Sequence, residues 1–150
     1  MSVGLVFHIG DPEDTIFSDH FVWRDLVFCF DLDFYIIADY TKGHNRKNYS
    51  DDYKESYVVR DLKEIRKIKP NHKLIYVSQG GEDLKTFNHP KENVIYIVGK
   101  DFGRDLNDQT SPTQDIEADI KLGIYYPNQK REIWGIHAAS IVLYDRLIKL

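Results

Sequence analysis

The sequence predicts an α/β fold with a mainly parallel sheet and helices on both faces. Apolar, strand-like runs alternate with helix-like segments along the 150 residues, and this alternation is typical of parallel sheets. The strand-like runs are continuously apolar, as expected for strands that are buried on both faces. The length suits a single compact domain spanning residues 1–150. We therefore expect about five or six strands, with ligands bound beyond their carboxyl ends.

Five short runs rich in β-branched and aromatic residues are predicted to be strands. They span residues 3–9, 34–38, 74–77, 94–98 and, as the weakest of the five, 120–126. Each run is followed by a turn-forming or polar residue, namely Gly10, Asp39, Ser78, Gly99 and Pro127. The loops after Val77, Val98 and Tyr126 are therefore the places where we expect the chemistry.

Four segments are predicted to be helices: residues 18–32, 51–68, 82–87 and 133–150. The second segment is highly charged, but one apolar stripe runs along it. This stripe consists of Tyr57, Val58, Leu62, Ile65 and Ile68. The C-terminal segment also has a continuous apolar side, formed by Ile136, Ser140, Leu143 and Leu147.

Charge and cysteine content restrict the possible functions. The formal net charge of −4 argues against a protein that coats nucleic acid through bulk charge, although an RNA-modifying enzyme with a local basic patch stays open. The single cysteine, Cys29, cannot form an internal disulfide, which predicts a reducing, cytoplasmic compartment. No apolar run approaches the roughly 20 residues of a membrane-spanning helix, and the N-terminus lacks the features of a secretory signal.

Familiar catalytic and metal-binding signatures are absent from the sequence. There is no Walker loop, no Gly-x-Gly-x-x-Gly after a strand and no Gly-x-Ser-x-Gly elbow. The six histidines are scattered, without a cysteine partner or metal-ligand spacing, so we expect no metal site. Each histidine is most simply explained as a surface or capping residue.

One composite pattern is more specific. The run KLIYVSQGGEDLKTFNHP (73–90) leads into NVIYIVGKDFG (93–103), and WGIHAASIVLYDR (134–146) follows near the C-terminus. Together these segments resemble the TrmH-like branch of the SPOUT superfamily, which are RNA ribose 2′-O-methyltransferases. The resemblance follows the family's motif order and spans nearly the whole chain.

The resemblance implies a C-terminal trefoil knot, a homodimer and S-adenosylmethionine as cofactor. In the family the knot places three loops side by side, here residues 77–80, 98–103 and 126–136, and the cofactor lies bent among them. Glycines there let the backbone approach a ligand closely, and apolar side chains wall the adenine. The implied cofactor-binding residues are Val77, Ser78, Gly80, Val98, Gly99, Asp101, Gly103, Ile124, Pro127, Trp134, Ile136 and Ala138.

The resemblance also implies a catalytic role for Arg24, which falls on the arginine of the family's first motif. In the family this arginine is proposed to activate the ribose hydroxyl or to hold a phosphate. A permanently charged guanidinium suits phosphate recognition better than proton abstraction. Apart from the resemblance, an ion pair with Asp25 or Asp19 would explain Arg24.

The implied activity is methylation of tRNA or rRNA, but three positions depart from the motifs. Ser18 and Trp134 stand where the family has asparagines, and Asp101 stands where it has glutamate. These departures leave a second function open, a non-catalytic homodimer that binds the cofactor, a nucleotide or a protein partner. A third interpretation is a doubly wound nucleotide-binding domain without a knot.

Overall fold

The computed structural model describes residues 2–9, 20–39, 53–60, 63–99, 118–127, 133 and 135–150. Within these residues six strands form one sheet, and every neighbouring pair is parallel. In chain order they are β1 (Val3–Ile9), β2 (Phe34–Asp39), β3 (Glu55–Val59), β4 (Lys73–Asp83), β5 (Val94–Ile97) and β6 (Ile120–Gly123). The spatial order is β3-β2-β1-β5-β4-β6. The predicted α/β class and parallel sheet are confirmed.

Helices pack on both faces of this sheet. The described residues include α1 (His20–Cys29), α2 (Glu64–Ile68), α3 (Gly135–Lys149) and a 3₁₀ turn at Leu84–Thr86. On one face α1 and α3 cover a core that contains Leu5, Phe7, Tyr35 and Tyr96. On the other face α2 packs through Ile65 against Val6, Ile36 and Ile97. Successive strand residues thus enter opposite cores, which explains why the central strands carry apolar residues on both faces.

The end of α1 shows how the chain turns from helix to strand. Asp31 has a φ of 49°, and its amide donates to the carbonyl of Phe28 at 3.1 Å. The amide of Leu32 donates to the carbonyl of Val27 at 2.9 Å. These two bonds form a Schellman motif in which aspartate takes the left-handed position that glycine usually occupies. Leu32 and Val27 then pack into the same core.

The predicted helix over residues 51–68 is wrong. Its first half contains the edge strand β3, in which Val58 pairs with Ile37 of β2, and only Glu64–Ile68 is helical among its described residues. The β-branched and aromatic run at Tyr57 and Val58 fits the free edge of a parallel sheet. Pairing with β2 outweighed the helical spacing of the apolar residues.

The sheet also extends beyond the predicted end of its third strand. The strand β4 continues through residues 78–81, which were predicted to end it, and reaches Asp83. The predicted helix over residues 82–87 is reduced to the 3₁₀ turn. Residues 100–117 and 128–132, on which the predicted trefoil knot depends, lie outside the described residues.

Candidate functional site

The three predicted loops begin at the carboxyl ends of three neighbouring strands. The strands β5, β4 and β6 are neighbours, so their carboxyl ends adjoin, as expected for ligand sites in open parallel sheets. Tyr76 pairs with Ile97, and Val77 pairs with Leu122. The predicted residues Val77, Val98 and Ile124 therefore each lie within two residues of a paired position, and the structure brings their loops together.

The first loop is a bulge in β4. Val77 and Glu82 both pair with Leu122 of β6, so residues 78–81 are additional on one strand. Gly80 has a φ of +80°, which favours glycine. At Gly81 a Cβ atom would lie 2.6 Å from the main-chain nitrogen of Leu122. Glycine is therefore required where the bulge crosses the β6 backbone.

The third loop is tied to this bulge by Tyr125. Its hydroxyl donates a hydrogen bond to the carbonyl of Gly81, and its ring covers Gly123, where a Cβ atom would lie 2.9 Å from the ring. The bulge is thus connected to the chain segment that leads into the third loop. Tyr125 was not among the predicted site residues, because neither its spacing nor its chemistry distinguishes it from its neighbour Tyr126.

The second loop is held against β1. The amide of Val98 donates to the carbonyl of Val6 at 3.2 Å, and Nδ1 of His8 donates to the carbonyl of Val98 at 2.7 Å. Val98 and His8 are each only 1% exposed. A Cβ atom on Gly99 would meet no atom of the described residues within 4 Å. The backbone at the start of the second loop is therefore held in place, and the described residues leave space beside Gly99.

The start of α3 contributes an apolar wall near these loops. Ile124 and Ile136 are partly buried against the core, and Ala138 is buried. Ser140 donates its hydroxyl to the carbonyl of Ile136 at 2.9 Å, which anchors the first turn of the helix. Three predicted cofactor residues, Asp101, Gly103 and Trp134, lie outside the described residues. Ser78 lies in the bulge of β4 and Pro127 follows β6, and their contacts with a cofactor stay predictions.

Arg24 lies elsewhere on the molecule. Its guanidinium carbon is 4.6 Å from the ring centroid of Phe28 and 5.7 Å from that of Tyr53, which makes cation–π contacts. Tyr53 precedes the edge strand β3, whereas the three loops follow strands on the other half of the sheet. Within one chain the structure does not bring Arg24 to the loops, and its catalytic role stays a prediction. The i, i+4 spacing of Arg24 and Phe28 was the available signal for this contact.

A polar cluster fastens the second half of α3 to the segment before β5. His89 is buried, with Nε2 at 2.8 Å from Asp145 and Nδ1 at 2.7 Å from the Tyr96 hydroxyl. A carboxylate only accepts hydrogen bonds, so Nε2 carries the proton and Nδ1 of the neutral ring accepts from Tyr96. Arg146 donates to the carbonyls of Pro90 and Lys91. The expectation that each histidine is a surface or capping residue is wrong for His89 and also for His8.

Burial controls the protonation of this cluster. It lowers the pKa of His89 below the usual 6.5, and the neighbouring Asp145 compensates only in part. Burial of Asp145 opposes its ionisation, but hydrogen bonds from Lys149 and His89 hold the pKa of its carboxyl below the usual 3.8. At neutral pH the cluster therefore contains a neutral imidazole and an ionised carboxylate.

The described residues contain neither a membrane-spanning helix nor a cluster of metal ligands. No helix among them is long and apolar enough to cross a membrane. The same residues contain no group of three or more His, Cys, Asp or Glu side chains that could hold a metal ion.

No protein-family model and no curated protein matches the sequence. Solved structures do match. A protein of the TrmH family of RNA methyltransferases from Porphyromonas gingivalis is 10% identical with a TM-score of 0.64, covering 97% of this chain and 59% of that one. An AdoMet-bound rRNA methyltransferase from Sinorhizobium meliloti is 12% identical with a TM-score of 0.63, covering 99% and 57%.

A third structure is similar over almost its whole length. It is a Bacillus anthracis protein described as an RNA methyltransferase, 17% identical with a TM-score of 0.62, and the match covers 98% of this chain and 93% of that one. The chain spans less than 60% of the other two structures. At these low identities the likeness concerns the fold. The chain therefore has the fold of the TrmH-type RNA methyltransferases, which confirms at the level of the fold the resemblance found in its motifs.

Proposed function

We propose that this chain is an S-adenosylmethionine-dependent RNA ribose 2′-O-methyltransferase that acts on tRNA or rRNA. The observation that carries the proposal is the meeting of three loops at the carboxyl ends of β4, β5 and β6, with open space beside Gly99. The fold is shared with an AdoMet-bound rRNA methyltransferase, and the motif resemblance supports the same activity. We also propose that residues 1–150 form one domain with the family's trefoil knot and that the protein is cytoplasmic.

The residues of the three loops fit such a cofactor. An adenine ring needs apolar walls and a few backbone hydrogen bonds, and the partly buried side chains of Ile124 and Ile136 supply apolar surface there. Val98 and Ala138 are themselves buried. Gly99 leaves room for close approach. When bound, S-adenosylmethionine supplies an electrophilic methyl group to the ribose 2′-oxygen. The chain contributes mainly by holding the two reactants in an attacking geometry.

The exposed face of α3 supports a homodimer. Five large apolar residues along α3 and directly after its end are 43–64% exposed, namely Ile141, Tyr144, Leu147, Ile148 and Leu150. A contiguous apolar surface of this kind marks an interaction site. Arg24 on α1 contacts Tyr53 before the start of β3, whereas the three loops follow the carboxyl ends of β4, β5 and β6. A site that contains both is therefore proposed to include a second copy of the chain. We propose that Arg24 of one protomer holds an RNA phosphate near the loops of its partner.

Charges placed on this face are expected to separate the protomers. In the double variant Ile141→Glu, Ile148→Glu, two carboxylates would be buried in the proposed interface, at a cost well above the loss of apolar contact. Light scattering after size exclusion should give the mass of two chains for the unchanged protein and of one chain for the variant. Val22→Glu, at a comparably exposed apolar position on α1, serves as control and should stay dimeric. A monomeric unchanged protein would contradict the dimer.

Cofactor binding is expected to depend on Gly99. The unchanged protein should bind S-adenosylmethionine and S-adenosylhomocysteine with a dissociation constant of about 1 μM, near −8 kcal/mol. Gly99→Arg should weaken binding by about 100-fold or more, because the long side chain enters the space left open beside Gly99. Gly99→Ala, which adds one small group, serves as the matched control. Titration calorimetry measures all three proteins.

Methyl transfer is the second stage of this experiment. The protein is incubated with labelled S-adenosylmethionine and unmodified tRNA or rRNA, and 2′-O-methylated nucleotides are identified by mass spectrometry. Failure of the folded protein to bind either ligand would overturn the methyltransferase proposal. Binding without transfer to any RNA would favour the non-catalytic homodimer, which the departures at Ser18 and Trp134 from the family's asparagines also favour.

A further inference from the structure

His8 extends the hydrogen bonding of the sheet with its side chain. The paired register between β1 and β5 ends at Val6 and Ile97. One residue further, the amide of Val98 still donates to Val6. The next bond of a regular parallel ladder would run from the amide of residue 8 to the carbonyl of Val98. Here Nδ1 of the His8 imidazole donates a hydrogen bond to that carbonyl at 2.7 Å.

This contact fixes the direction of the peptide that joins Val98 to Gly99. In a trans peptide the carbonyl and the following amide point in opposite directions. Because the Val98 carbonyl is directed to β1, the amide of Gly99 is directed to the opposite side of β5, where β4 lies. The pairing of β4 with β5 has already ended at Tyr76 and Ile97. The Gly99 amide therefore faces the gap between the second loop and the bulge at residues 78–81.

We propose that His8 is a positioning residue for the cofactor, a role that rests on the proposed function. By holding the Val98 carbonyl, the imidazole presents the Gly99 amide to a hydrogen-bond acceptor of S-adenosylmethionine in the gap between β4 and β5. A carbonyl can only accept, so Nδ1 must carry a proton. The imidazole thus pre-organises one amide donor of the cofactor site and does not itself touch the ligand.

A set of variants separates this role from simple packing. His8→Asn places an amide nitrogen two bonds from Cβ, where Nδ1 of histidine lies, and so keeps the donor. His8→Gln moves the donor one bond further out, and His8→Leu removes it. His72→Leu is the control, because His72 lies at the opposite, amino edge of the sheet, where its Nε2 is 2.6 Å from the Ser2 hydroxyl.

Calorimetric titration with S-adenosylmethionine and thermal unfolding are measured for each folded variant. All three His8 variants are expected to unfold at lower temperature, but only His8→Gln and His8→Leu should bind about tenfold more weakly, the effect of one hydrogen bond. His8→Asn should bind within about threefold of the unchanged protein, and His72→Leu should bind normally. If His8→Leu does not fold, the dissociation constant of His8→Gln alone tests the positioning role of His8.

The outcomes distinguish this inference from the proposed function. If the unchanged protein binds the cofactor but the folded His8→Gln and His8→Leu variants bind it equally well, His8 has no positioning role. If His8→Asn binds as weakly as His8→Leu, the donor is not what matters, and the inference is overturned. If the unchanged protein does not bind the cofactor, the proposed function itself fails, and the role of His8 fails with it.

Discussion

Gly81→Ala is expected to lower the free energy of unfolding by about 3 kcal/mol, at the upper end of the effects of overpacking. The added Cβ would lie 2.6 Å from the main-chain nitrogen of Leu122 and from the carbonyl carbon of Lys121. These atoms belong to the backbone of β6 and cannot rotate away as a flexible side chain would. Either β6 shifts or the bulge opens, and both changes displace the loop that carries Ile124. Urea unfolding followed by circular dichroism measures the loss.

The adjacent Gly80 provides a matched control for this prediction. Its Cβ would meet no atom of the described residues within 4 Å, but its φ of +80° strains any other residue. Gly80→Ala should therefore cost only about 1 kcal/mol. Gly81→Ala should also weaken S-adenosylmethionine binding, because this substitution moves β6 against β4. Gly80→Ala does not move β6 and should leave binding unchanged. Equal, small losses in the two variants would show that β6 does not cross Gly81 as closely as the structure indicates.

The sheet could be predicted from the sequence because its central strands are buried on both faces. The runs at residues 3–9, 34–38 and 94–98, which form β1, β2 and β5, are apolar except at His8. A strand with one solvent-exposed face, or an amphipathic helix, would also carry polar residues along that face. The edge strand β3 was missed for the complementary reason. It is charged at its start, at Glu55, and its apolar residues also fit a helical stripe, so only pairing with β2 distinguishes the two structures.

The loops of the candidate site could be predicted, but the contacts that hold them could not. The alternation of strands and helices places Val77, Val98 and Ile124 at one edge of the sheet whatever the details of their side chains. By contrast, His8 contacts a residue 90 positions away, and His89 contacts one 56 positions away. No local pattern marks such pairs. A histidine inside an apolar strand, as at His8, was the one available signal of burial.

The cluster around His89 makes the stability of the fold depend on pH. Burial lowers the pKa of His89 in the folded protein, so below about pH 6.5 the unfolded chain takes up a proton that the folded chain does not. The contribution of the neutral His89 to the free energy of unfolding is therefore fully present above pH 6.5. It is lost as the pH decreases toward the lower pKa of His89 in the folded protein. The lowered pKa of Asp145 acts in the same direction below its usual 3.8. His72, whose pKa burial also lowers, adds to the effect.

Asp145→Ala is expected to lower the free energy of unfolding by about 3 kcal/mol at pH 7.5, the cost of breaking a largely buried, charge-assisted pair. It leaves Nε2 of His89 without its acceptor and removes one of the partners of Lys149, whose Nζ lies 2.8 Å from the carboxylate and also donates to the carbonyls of Leu84 and Phe87. Asp145→Asn keeps an acceptor for His89 and should cost only about 1 kcal/mol.

In a His72→Gln background, His89→Gln should flatten the decline in the free energy of unfolding between about pH 7 and pH 5, because the titrating imidazole is gone. Urea unfolding across this range tests both effects. An unchanged pH profile in that double variant, or an Asp145→Ala variant as stable as Asp145→Asn, would show that the cluster does not fasten α3 to the sheet.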